Sequence, residues 1–357
     1  MILDKIVNWL RYKILLNGFK INRFFEKSNK NIFLTSDTLN VFWDLETQDI
    51  TFMIIPFLVF CEIQCTILNK KTFRLIIVPT VKGGVEKLVL WKEYTDIHDE
   101  IARESRLFRI VLSGSKLIAR CQGVHVCGSR EDAKWFERGQ VIPDKYSSNY
   151  PKLFDVGVAY TFFKQFEFEG IKASINDLRI AKEILRSLGI DNSFICISLR
   201  KQNYDQIRNS DYSELGKFVA YLNDQGCPVV AIPDFDFIHE NPGLGCPLLT
   251  TASVDVGLRA AFIHLASMNI MPNGGVANVA QFMRNSNFII YNFLPPGSVA
   301  NHSDSVSAQL REDRGLGFES ETQIYRFENM SFDVLKNDFD EYFKSWSQNL
   351  MKFPNVI

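Results

Sequence analysis

A chain of 357 residues, 46% hydrophobic and 23% charged, is long enough for two folded cores and too apolar to be disordered. A formal net charge of −1 argues against a dedicated nucleic-acid binder, which needs a basic excess to neutralise phosphates. The seven cysteines fall at irregular spacings with no CxxC pair, so they read as free thiols of a reducing compartment and no zinc site is expected.

Met1–Leu10 carries Asp4 and Lys5, unlike a secretory leader, and no uncharged apolar stretch approaches the ~18 residues of a membrane span. A cytoplasmic protein is expected. Residues 1–30 interleave Lys5, Arg11, Lys13 and Lys20 with Ile6, Trp9, Leu10 and Ile14, a basic amphipathic segment. It reads either as a terminal helix packed on the first domain or as a peripheral contact with the inner membrane face.

In chain order, Leu39–Phe42 is a short apolar run leading into Trp43, Asp44, Leu45 and Glu46. Ile50–Leu68 has helical spacing through Phe52, Ile55, Val59 and Ile63, and Phe73–Pro79 is a buried strand. Strand, helix, strand is the repeat of a parallel α/β sheet. Tyr94–Gly114 reads as a helix and Gly123–Cys127 as a short strand, with His125 structural. Ser129 reads as a helix cap, with Asp132 three residues on. Pro143–Pro151 breaks all periodicity.

The second half resumes the alternation. Asn176–Ser187 is a helix, Phe194–Leu199 a strand, Ser213–Asn223 a helix and Pro228–Pro233 a strand. A helix at Asp255–Ser267, an apolar run to Met271, a helical run at Val276–Met283 and a strand at Asn287–Tyr291 follow. Phe332, Leu335, Phe339, Tyr342 and Trp346 form an amphipathic C-terminal helix. The expected organisation is a basic segment at 1–30, a Rossmann-like domain at 31–170, a second at 171–335, and a packed helix at 336–357.

The candidate chemistry lies where strands end. Arg200 follows an apolar strand, and Arg208 and Asn209 share its loop. A guanidinium there can reach a ligand phosphate or form an ion pair. Asn273, Gly274 and Gly275 open a helical run, as a simple tight turn or as a glycine turn whose amides favour an anion. Asp234, with Asp236 in an Asp-x-Asp spacing, reads as a helix cap or a contact to a ligand hydroxyl rather than a metal ligand. Asp44, with Glu46 beside it, and His98 are the candidate general bases, each with an ordinary polar role as the alternative.

The run Cys196–Arg200, then Arg208–Tyr212, Leu222–Gly226 and Val229–Asp234, resembles a group of bacterial glycosyltransferases of polysaccharide and surface-glycan biosynthesis. Phe42–Leu45, Thr51, Phe52, Ser129–Glu131, Tyr150 and Pro151 fit the same group, and the resemblance covers most of residues 39–300. It implies the GT-B architecture, two Rossmann-like domains facing across a cleft. The glycan or lipid-linked acceptor would sit on the first domain and the nucleotide-sugar donor on the second. It also implies transfer without a bound metal or other cofactor. Arg200, Arg208 and Asn209 would then contact the donor phosphates, with Asn273, Gly274 and Gly275 as the second wall of the pocket. No clear Glu stands where a nucleotide ribose would be gripped, which leaves the donor unassigned. A nucleotide-sugar epimerase or hydrolase of the same fold, and a non-catalytic scaffold of glycan assembly, are the alternatives.

Overall fold

The computed structural model describes residues 37–85, 98–191, 193–298, 310–312 and 314–343. The basic segment at 1–30 and Trp346 lie outside the described residues. The chain divides into two compact units, Met1–Ala159 and Tyr160–Ile357. Both are Rossmann-like, each built on one parallel sheet.

The first sheet contains β1 (Thr38–Asp44), β2 (Thr72–Val78), β3 (Cys121–Val126) and β4 (Val141–Ile142), in the order β3-β2-β1-β4. β1 and β2 pair in register from Thr38 with Thr72 to Asp44 with Val78. The order reverses between β1 and β4, the switch point at which open α/β sheets bind ligands beyond their carboxyl ends. Between β1 and β2 runs the helix Ile54–Ile67, buried on almost every side by residues such as Ile54, Phe57, Leu58, Cys61 and Cys65. It is therefore a core helix rather than an amphipathic cover. Its start falls after the expected Ile50 because polar side chains bind the backbone first. The Asp49 carboxylate accepts the Ile50 N–H (2.8 Å) and Thr51 Oγ1 accepts that of Met53 (3.3 Å).

Asp99 caps the helix Glu100–Arg106, accepting the Ala102 N–H at 2.7 Å, and the helix runs on through a π-helical stretch, Leu107–Leu112. The Ser129 cap predicted from sequence forms a full capping box with Asp132. β4 has only two residues, too few for a periodic signal, and is absent from the sequence-based reading.

The second sheet contains β5 (Ile195–Ser198), β6 (Val229–Ile232), β7 (Met268–Pro272), β8 (Phe288–Tyr291) and β9 (Gln323–Tyr325), in the order β6-β5-β7-β8-β9. Here the switch point lies between β5 and β7. Side chains alternate across the sheet. Ile195 and Ile197 enter one core with the helix Tyr212–Asp224, and Cys196, Val230 and Ile232 enter another with the helices Ile175–Ser187 and Val256–Leu265. Both faces are covered, so β5 and β6 read as continuous apolar runs. The C-terminal helix, Phe332–Asp338, packs Leu335 and Phe339 into the first of these cores.

Gly170 shows how tightly the second unit is joined. Its φ is +73°, and a Cβ there would lie 2.2 Å from the carbonyl oxygen of Phe282. The Ile171 N–H donates to that same oxygen at 2.9 Å. Handedness and contact both exclude a side chain, so Gly170→Ala is expected to cost more than about 2 kcal/mol, read as a lowered urea midpoint.

Candidate active site

Asp44 ends β1 at the first switch point and is 1% exposed. Arg130 grips it with two bonds, Nη1 to Oδ1 and Nη2 to Oδ2, both 2.8 Å. Tyr146 donates its hydroxyl to Oδ2, and the Glu46 N–H reaches Oδ1 at 2.9 Å. Burial and this carboxylate push the Tyr146 phenol upward, which keeps it a donor. Arg130 also donates to the carbonyls of Pro79 (2.7 Å) and Ser148 (2.9 Å). Asp44 was a candidate general base with an ordinary polar role as the alternative; here both its oxygens are engaged. Its geometry is that of a tie between β1, the loop after β2 and the 146–148 segment.

His98 is buried, with its carbonyl accepting from Arg103 Nη1 at 2.8 Å. It directly precedes the Asp99 cap of the helix Glu100–Arg106.

Asp49, which sequence reasoning passed over, lies on the loop beyond β1. It is partly exposed, and burial of its carboxyl raises the pKa from 3.8 to about 6, against the pull of Arg106 and Arg103. A carboxylate at a strand's carboxyl edge with a pKa near working pH suits proton abstraction. No local sequence signal marks it, because the shift comes from the packing around the loop.

In the second unit, Arg200 follows β5 and is 8% exposed. Its guanidinium donates to the carbonyls of Tyr204 and Asp205, both at 3.0 Å, and to Asn209 Oδ1. Burial and the nearby Arg208 lower its pKa to about 10. Asn209 closes the loop, accepting the Gln202 N–H (3.0 Å) and donating to the Gln202 carbonyl (2.9 Å). Arg208 Nε binds Asp205 Oδ2 at 2.7 Å. The two arginines and Asn209, read from sequence as phosphate contacts, thus hold their own loop in shape.

The turn after β7 lies beside this loop: a methyl group on Gly274 would sit 3.2 Å from Arg200 Cδ. Asn273 donates its N–H to the Tyr291 carbonyl at 2.7 Å, which orders the turn against β8. The amides of Gly274, Gly275 and Val276 donate to no acceptor among the described residues. The helix that follows, Ala277–Gln281, is only five residues long, so the turn's N–H groups, not a macrodipole, are its feature for an anion.

Asp234 ends β6. Its Oδ2 accepts the Lys201 N–H (3.1 Å), and Gln202 Nε2 lies between the two carboxylates, 2.8 Å from Asp234 Oδ1 and 2.9 Å from Asp236 Oδ2. Burial and the Asp236 charge raise the Asp234 pKa. Asp234 caps no helix through its side chain; it joins the β5 and β6 loops. Beside it, Arg259 is buried, donates to the carbonyls of Ala252 (3.0 Å) and Pro233 (3.1 Å), and is lowered to about 10 by burial. Among the described residues no group of three or more His, Cys, Asp and Glu gathers in a way that could hold a metal ion.

No protein-family model and no curated protein matches this chain. Solved structures do. The glycosyl transferase family 9 structure from Veillonella parvula DSM 2008 superposes with a TM-score of 0.51 at 10% identity, covering 91% of this chain and 92% of that one. The E. coli ADP-heptose LPS heptosyltransferase II superposes at 0.52 with 11% identity, covering 88% of this chain and 99% of that one. Identity this low speaks for the fold alone, and the chain carries the two-unit, parallel-sheet α/β fold of these glycosyltransferases, the GT-B class.

Proposed function

We propose that this protein is a glycosyltransferase that takes a sugar from a nucleotide-sugar donor and passes it to a glycan or lipid-linked acceptor. The observation that carries the reading is the second switch point. There the Arg200–Asn209 loop after β5, held in shape by the Arg200 guanidinium, lies beside the Asn273–Val276 turn after β7, whose Gly274, Gly275 and Val276 amides donate to no acceptor among the described residues. Those groups are suited to a departing diphosphate, whose charge they stabilise without a bound metal. Asp49, in the unit that the resemblance assigns to the acceptor, takes the proton from the acceptor hydroxyl. The name of the E. coli neighbour makes an ADP-activated sugar the first donor to test. A cytoplasmic location, with residues 1–30 as a peripheral contact at the inner membrane face, belongs to the same proposal.

A thermal-shift screen of ADP, UDP, GDP and CMP sugars, with and without EDTA, tests the reading. A bound donor at 100 times its dissociation constant stabilises by about 2.7 kcal/mol. Arg200→Ala opens the loop and is expected to weaken donor binding by calorimetry by about tenfold or more. Unchanged affinity in a folded variant would remove this loop from the donor site. The full occupation of Asp44 favours a second reading, donor binding without turnover. A protein that binds the donor, yet releases no nucleotide from it with any glycan tried, would support that alternative.

A further inference from the structure

The anion-binding groups of the β5 loop are already occupied by an anion of the protein itself. Asp205 Oδ2 accepts Arg208 Nε at 2.7 Å and the Ser298 hydroxyl at 2.5 Å. We propose that the Asp205 carboxylate is a built-in occupant of an anion seat formed by Arg208 and Ser298, and that a phosphoryl oxygen of the donor displaces it. This deepens the glycosyltransferase reading and rests on it.

Three features support the displacement. A guanidinium N–H and a hydroxyl converging on one carboxylate oxygen form the donor set that a phosphate oxygen also takes. The Asp205 side chain is 2% and the Arg208 side chain 11% exposed, and Arg208 Nε is taken by the carboxylate, so a ligand reaches that N–H only if the carboxylate leaves. Asp205 also sits in the left-handed region, φ 52° and ψ 56°, a conformation that aspartate tolerates but does not prefer. It is held there from outside. Arg200 takes the carbonyls of Tyr204 and Asp205, and Asn292 Nδ2, from the loop after β8, donates to the Ile207 carbonyl at 3.3 Å. Ser298 is thus brought in from the loop after β8, more than ninety residues away in the chain. Exchange of one anion for another leaves the charge of the seat balanced, while Arg200 and Asn292 keep the loop backbone in place. The free protein accordingly binds phosphate more weakly than its side chains allow.

Calorimetry on the full chain with inorganic pyrophosphate, and in parallel with the nucleotide sugars of the screen, tests this. Asp205→Asn removes the charge, and Asp205→Gly removes it while fitting the positive φ, so the second variant folds where the first fails. Both are expected to bind pyrophosphate about tenfold or more tighter than the native protein, and Ser298→Ala in either background to lose most of that gain. Affinity equal to or weaker than native in the Asp205 variants overturns the proposal. Pyrophosphate binding that tightens while no nucleotide sugar binds keeps the seat and removes the transferase reading. Nucleotide sugars that bind the native protein and both Asp205 variants equally keep the transferase reading and remove the displacement.

Discussion

Asp49→Asn is expected to lower kcat by a factor of about 10² to 10⁴, the usual contribution of a positioned general base, with donor affinity unchanged. In the native protein, log kcat/KM is expected to rise with pH and level off above about 6, where burial places this carboxyl. The asparagine variant loses that limb of the profile. The same substitution has an opposite effect on stability, and the sign follows from linkage. The folded-state pKa lies above the ordinary value of 3.8, so the folded protein holds the Asp49 proton more tightly than the unfolded chain. That contribution is fully present below pH 4 or so and is lost as pH rises through about 6. Above that, the ionised carboxylate costs at most about 3 kcal/mol, less in practice because the side chain is partly exposed. Asp49→Asn should therefore raise the melting temperature at pH 8 and leave it unchanged near pH 3.5. A variant that is inactive and equally destabilised at both pH values would mark Asp49 as structural.

Asp44→Ala has its largest effect on stability rather than on chemistry. It leaves the half-buried Arg130 guanidinium, 16% exposed, without its carboxylate and strips the Tyr146 hydroxyl of its acceptor. Breaking one side of a fully buried pair costs about 3–5 kcal/mol, and the cost here is smaller because the Arg130 side of the pair is only half-buried. Urea unfolding of Asp44→Ala, Arg130→Met and the double variant should show the double mutant well short of the sum of the singles, the mark of a coupled pair. Asp44→Asn, which keeps the shape, should retain transfer in whatever fraction stays folded. A stable, folded Asp44→Asn protein with no activity would return Asp44 to the role of base.

The contrast between these two aspartates shows what a sequence discloses about a site. They lie five residues apart in the same post-strand region, and by pattern Asp44 is the stronger candidate because it ends the strand. Its partner Arg130 lies 86 residues away, and the two meet because β1 and β2 pair and the Ser129 box starts a helix beyond β3. Asp49 has no such ion pair among the described residues; burial raises its pKa against the Ile50 N–H bond and the charges of Arg106 and Arg103. Arg200, Arg208 and Asn209 were legible as a group because they share one loop. Their bonding within that loop was not, since it depends on the left-handed turn at Asp205 and on Ser298 from another strand's loop.

Much was determined by the sequence by itself. The α/β alternation follows from periodicity, the capping box at Ser129 from side chains that satisfy amides three residues away, and the near-continuous apolar runs of β5 and β6 from burial on both faces. These are local effects, decided within a few residues. The tertiary structure alone decided the strand orders, and with them which loops adjoin each switch point. It likewise decided that Asp44 is tied, that Asp49 is perturbed and that Arg208 is held by Asp205. The physical reason is that the energy of a charge is set by the groups packed around it, and in a parallel sheet those groups come from chain segments far apart in sequence.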